Sequence, residues 1–228
     1  MIASLVFRRN LGSAEIPLIT GITTPTTVNG WFSLLHSNPL LGVTLLGVFD
    51  IANYALVGLM FLALYIALRQ TNQSYTLIAL ALSLMGVVIY IVSNSAFSMF
   101  SLSNQYAIAT TDVQKSTLLA SGQAVLASGY NPAGAVYQSA GYYLSLLFVA
   151  VADLMMSAVM LKSKIFYRVA GYIGIVASVF DLTYLIGLLF VPEADVYLLG
   201  SVCLAFGGLF LMIWHLLVGL KLYKLSRT

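Results

Sequence analysis

The sequence predicts an all-α fold: a polytopic helical membrane bundle of five spans, with an amphipathic helix on its outer side. Three observations carry that prediction. Of the 228 residues, 61% are hydrophobic and only 7% are charged, whereas a soluble chain devotes roughly a quarter of its residues to charge. Ten basic and seven acidic residues cannot furnish a polar shell. Five apolar runs, near 40–68, 76–103, 137–161, 167–191 and 196–220, hold no Lys or Arg apart from Arg168 at the edge of the fourth. Each supplies the ~20 residues a helix needs to cross hydrocarbon. Finally, Arg69, then Lys162, Lys164 and Arg168, then Lys221, Lys224 and Arg227 fall on alternate connections, while Asp112, Lys115, Glu193 and Asp195 fall on the others. The positive-inside rule then predicts a cell-membrane protein with a cytoplasmic C-terminus and an outer turn at 192–196. Continuous rather than alternating apolar runs argue against a β-barrel, and open sheet edges are not tolerated in lipid.

Residues 1–38 read as an extracytoplasmic segment and 39–228 as the helical membrane domain. Residues 1–7 are apolar but too short to span, and Arg8-Arg9 follow them, whereas a secretory signal places its charge first. Five spans put the N-terminus outside, in conflict with Arg8-Arg9. A residual sixth helix at 1–7 is one resolution. Thr23-Thr24-Pro25-Thr26-Thr27 reads as loop, and Trp31 and Phe32 as interfacial anchors. Between the second and third spans, Thr111 and Gln114 fit a capping box, and Leu118, Leu119, Val125 and Leu126 share a helical face until Asn131-Pro132. This predicts an amphipathic helix near 111–128, lying on the bilayer or lidding the bundle. Ala170, Gly174 and Ser178 recur at the spacing that lets helix backbones approach closely. Tyr106, Tyr130, Tyr137, Tyr142 and Tyr197 are expected at the outer interface, and Tyr65, Tyr75, Tyr167 and Tyr223 at the inner one.

One arrangement carries a family likeness. A helix opens after Asn-Pro-Leu-Leu-Gly (38–42) and ends Leu68-Arg69, and a second closes near Leu102-Ser103-Asn104-Gln105-Tyr106 before the amphipathic stretch. A later pair hinges on Leu161-Lys162-Ser163-Lys164-Ile165-Phe166-Tyr167-Arg168-Val169-Ala170-Gly171. Over roughly 38–190 this resembles the bacterial multi-pass proteins classed as a domain of unknown function, numbered 4386. The resemblance implies six helices, one before the N-terminal outer segment, where this chain has only residues 1–7. It implies no activity.

The candidate site lies in the polar residues within the spans. Asp50, Asn94 and Asp181 count to a common depth of ~15 Å below the outer boundary. Tyr54, Tyr90 and Tyr184 stand at helical spacing from them, and Asn53 shares the Asp50 face. An ionised carboxylate at membrane depth costs at least ~2.5 kcal/mol. These aspartates are therefore either protonated and hydrogen-bonded or ionised around a cation or cationic ligand. A neutral polar knot that fixes helix packing is the competing reading. Lower down, Asp153 and His215 differ by only ~5 Å in depth and form a candidate secondary proton relay, against a His that merely snorkels beside Trp214. Val-Phe-Asp occurs at 48–50 and again at 179–181, as an inverted repeat of three plus three helices would place it.

The expected function is thus a small transporter, channel or ligand-binding membrane protein, with a non-catalytic structural or accessory subunit of a membrane complex as the alternative and a membrane-embedded enzyme as a third class that ranks below both. Its partners would be the lipid bilayer, a proton, cation or small-molecule ligand, and, on the alternative, another membrane protein. Nucleic acid is not expected. No Gly-x-Ser-x-Gly, His-Glu-x-x-His or Cys-His set is present, so no catalytic residue, cofactor or metal site is assigned. Cys203, the single cysteine, permits no intramolecular disulfide.

Overall fold

The computed structural model describes residues 24–128, 140–190 and 193–227. Expectations for residues 1–7, Arg8-Arg9, Tyr130, Asn131-Pro132, Tyr137 and Pro192 lie outside the described residues, as do those for the side chains of Glu193, Asp195 and Tyr197. Among the described residues there are nine helices and no strand: α1 (Val28–Ser37), α2 (Pro39–Leu45), α3 (Val48–Leu68), α4 (Gln73–Ser93), α5 (Ala96–Ile108), α6 (Asp112–Ser128), α7 (Ala140–Lys162), α8 (Arg168–Phe190) and α9 (Glu193–Leu225). Five segments are long and apolar enough to cross a membrane: α3, α4 with α5, α7, Arg168–Gly187 and Ala205–Leu225. The protein is a multi-pass membrane protein.

Polar caps start several helices. Thr27 Oγ1 accepts from the Gly30 amide at 3.2 Å, Asn38 Oδ1 from Leu41 at 3.1 Å, and Asn72 Oδ1 from Tyr75 at 3.1 Å, each satisfying a donor the helix cannot. The box opening α6 is reciprocal: the Gln114 amide donates to Thr111 Oγ1 at 3.2 Å, and the Thr111 amide donates to Gln114 Oε1 at 3.3 Å.

Two predicted spans are interrupted. The run 40–68 breaks at Leu46-Gly47, where Gly47 takes φ 90°, a left-handed conformation that costs any other residue. The run 76–103 breaks at Asn94-Ser95, where Asn94 leaves the helix with ψ 127°. Asn and Ser side chains compete with the helix for backbone groups, and here they win.

The bundle is built from sequential neighbours, α3 on α4, α4 on α7, α7 on α8 and α8 on α9, with α9 only sparsely touching α3. Phe61, Leu64, Leu68, Met156, Met160, Leu211 and Trp214 fill its core. Phe49, Leu56, Leu59, Val88, Val92, Leu216 and Leu220 point outward and are exposed. On a soluble protein that surface would aggregate; in lipid it is the matched surface.

A second core lies beyond the bundle, among α1, α2, α5 and α6, and contains Trp31, Phe32, Leu35, Leu46, Met99 and Leu126. Trp31 and Phe32 are only 0% and 2% exposed, so they are core residues of this cap and not interfacial anchors. The segment Gln73–Ile108 has 36 residues, about 54 Å of helix against ~30 Å of hydrocarbon. Its upper part, α5, therefore carries the cap, and the Ser103 hydroxyl donates to the Phe32 carbonyl at 3.2 Å to tie α5 to α1. Helix α6 packs on this cap through Gly122 and Leu126, its two buried residues: a Cβ on Gly122 would collide with Val28 and Phe32.

At the other end, the Lys221 ammonium lies 5.7 Å from the centre of the Tyr167 ring, so the end of α9 meets the α7–α8 turn. Tyr75, Tyr167 and Tyr223 are exposed there, whereas Tyr142, expected at an interface, is buried within the bundle.

Candidate functional site

Asp50 sits in the first turn of α3, immediately after the Gly47 break, where the positive end of the helix dipole favours a carboxylate. It is buried, and the Tyr90 hydroxyl donates to its Oδ2 at 3.2 Å. One turn further along, Tyr54 stacks on Tyr90 with ring centres 3.7 Å apart and planes 7° from parallel. Asn94 Nδ2 donates to the Gly47 carbonyl at 3.2 Å, while Asn94 Oδ1 accepts from the Ala96 amide at 3.0 Å. One amide side chain thus closes the break in its own segment and fastens it to the break in the other.

Asp181 comes from α8 and is half-buried. Its Oδ1 lies close to α9, 3.4 Å from where a Cβ on Gly207 would be. It lies in the neighbourhood of Tyr54 of α3, Asp153 of α7 and Cys203 of α9. The Tyr54 phenol also lies beside Tyr142 and Ser145 of α7 and within reach of Asp50.

Asp50 is 18 residues before Leu68, Asp181 is 13 after Arg168 and Asp153 is 9 before Lys162. Those offsets put them about 27, 20 and 14 Å from the basic end of the bundle. The single layer predicted from span boundaries assumed that Asp50 lay in mid-helix. With α3 starting at Val48, the aspartates instead descend in steps from the cap toward the basic end.

Asn53 is half-buried on α3, and its Nδ2 has no partner among the described residues. Tyr184 is buried one turn beyond Asp181. Asp153 is 2% exposed, with Oδ1 unpartnered among the described residues. His215 is occupied elsewhere: its Nδ1 lies 2.8 Å from the Leu211 carbonyl and its ring meets Trp214 edge-on at 5.2 Å. The ionisable neighbour of Asp153 is Asp181, and no described contact joins Asp153 to His215. No group of three or more His, Cys, Asp or Glu is gathered for a metal ion among the described residues.

Sequence reasoning did not single out Gly47 as a break, Tyr142 and Ser145 as neighbours of Tyr54, or Ser157 and Trp214 as polar lining. Asn94 flanked by Ser93 and Ser95 was a legible sign of an interruption. The position of Ser157 depends on which face of α7 meets α8, which local sequence does not encode.

No curated protein and no solved structure matches the chain. Residues 33–219 match the Domain of unknown function (DUF4386), a range wider than the one in which the sequence showed the likeness. The chain therefore belongs to the DUF4386 family of domains, whose name assigns it no activity.

Proposed function

We propose that the protein is a small transporter or channel of the cell membrane, with its polar site at Asp50, Asn53, Asn94 and Asp181. The observation that supports this best is the meeting of two interrupted helices at a buried carboxylate. Broken helices are tolerated at membrane depth where they line a cavity or a substrate path, and transporters place ion sites at such breaks. In this reading Asp50 and Asp181 carry the proton or coordinate a monovalent cation or cationic small molecule. Tyr54, Tyr90 and Tyr184 complete their hydrogen bonding. By the positive-inside rule the basic end faces the cytoplasm and the cap lies outside.

A second reading has its own support. The Asn94 bonds to Gly47 and Ala96 are the kind of polar glue that fixes helix packing, as in a non-catalytic accessory subunit with another membrane protein as partner.

Proteoliposome flux separates the two. Proton or monovalent-cation flux in wild type, lost in both Asp50→Asn and Asp181→Asn with melting temperature retained, is the expected result. A wild type that passes neither ion, with variants that melt far lower, sinks the transport reading.

A further inference from the structure

Deeper in the bundle than Asp50, Asp153 Oδ1, Ser157 Oγ and Trp214 Nε1 are buried and each lacks a hydrogen-bond partner among the described residues. Ser157 and Trp214 are both 0% exposed. Asp153 and Ser157 are one helical turn apart on α7, so their side chains share a face. Ser157 Oγ and Trp214 Nε1 both press against Gly174 of α8, where a Cβ would collide with each. That missing side chain lets α7, α8 and α9 bring polar atoms to one place in an apolar core. Groups so deeply buried are as a rule partnered by protein or by an ordered water.

The chemistry of the set selects its occupant. The indole N–H only donates, a carboxylate oxygen accepts and the serine hydroxyl does either. A buried water typically makes about three hydrogen bonds. One water can accept from Trp214, donate to Asp153 and exchange the third bond with Ser157. A metal cation would face the indole N–H, and an anion would face the aspartate.

We propose that Asp153, Ser157 and Trp214 hold an internal water that extends the Asp50–Asp181 site into a proton path between α7, α8 and α9. Around Asp153, α8 contributes Asp181, an ionisable group in its neighbourhood. From α9, His215 stands beside Trp214 with Nδ1 turned to the Leu211 carbonyl. Tyr54 of α3 and Tyr90 of α4 lie higher, with Asp50. The path rests on the proposed function; the water does not.

Infrared difference spectroscopy of the protein in lipid bilayers, between two pH values, reads both. The expected result is a water O–H band that moves in heavy-oxygen water and a carboxyl band lost in Asp153→Asn. Ser157→Ala should remove the first and displace the second, and Trp214→Phe should act likewise. Bands unmoved by Ser157→Ala and by Trp214→Phe overturn the water site. Flux on the same samples then tests the path: Asp153→Asn and Ser157→Ala should lower it severalfold. Unchanged flux in variants whose bands have moved overturns the path. A wild type without flux removes the transport reading and the path together, while the bands still decide the water.

Discussion

At the two helix breaks, Asp50 receives the Tyr90 hydroxyl, Asn94 spans the gap to Gly47, and Tyr54 covers the pair by stacking. Nearer the basic end, Asp153, Ser157 and Trp214 are at least as deeply buried, yet an atom of each lacks a described partner. The two groups occupy the same bundle and draw on similar residue types. What differs is the source of the partners. At the breaks, interrupted backbone supplies free carbonyl and amide groups that side chains can answer. Lower down, the helices are continuous, their backbone groups are consumed internally, and side chains must find each other or something else. In a low-dielectric interior a satisfied network specifies structure, whereas an unsatisfied one calls for a ligand.

The largest effect should come from breaking the upper group at its joint. Asn94→Leu leaves the Ala96 amide without its acceptor and the Gly47 carbonyl with only the Asp50 amide, a loss of about 1–3 kcal/mol for one unsatisfied buried backbone donor. Thermal unfolding in lipid nanodiscs should show a correspondingly large fall. A drop no greater than that of the exposed Val92→Ala would mean the breaks do not depend on this amide. Next in size is Gly47→Ala, which forces a Cβ into the left-handed region at about 1–2 kcal/mol. An unchanged melting temperature would show that the break tolerates another conformation. Tyr90→Phe keeps the stack on Tyr54 but removes the donor to Asp50. Interhelical hydrogen bonds in membranes average about 0.6 kcal/mol, so its effect should be the smallest of the three. If it matched Asn94→Leu, Asp50 would be the keystone of the upper group and the comparison would have to be redrawn.

The legible and illegible parts of this molecule divide along the same physical line. Apolar run length and the absence of charge report directly on the need to match ~30 Å of hydrocarbon, so the five spans could be located before any coordinates. The Thr111–Gln114 box was equally readable, because a capping box is a local bargain between residues three apart. The cap was not. Trp31 and Phe32 look like interfacial anchors in isolation, and only their contacts with α5 and α6, distant in sequence, make them core. Within the candidate site, Asp50, Tyr90, Asn94 and Asp181 stood out because polar residues in apolar runs are rare. The place of Asp50 within its helix was not legible, because a single φ at Gly47 restarts the helix and moves Asp50 from its middle to its first turn. The proximity of Asp153 to Asp181 rather than His215 depends on the rotation of α7 against α8. A few degrees per residue decide that facing, and no spacing rule in one sequence fixes it.

The finest test of the comparison is Ser157→Ala, where the sign matters more than the size. Alanine fits the Ser157 site without new contacts, so the substitution removes one hydroxyl and little else. If that hydroxyl is buried dry, its loss relieves a desolvation penalty and the protein should hold its stability or gain slightly. If it anchors a bridging water, the water loses one of about three bonds, and the protein should lose about 1 kcal/mol. The expected outcome is the loss, read as a lower melting temperature than wild type in the same nanodiscs. It should also disappear when Ser157→Ala is made in an Asp153→Asn background, because both substitutions act on the same water and their effects cannot add. Additive losses would show that serine and aspartate are satisfied separately, and the lower group would then be an ordinary part of the packed core.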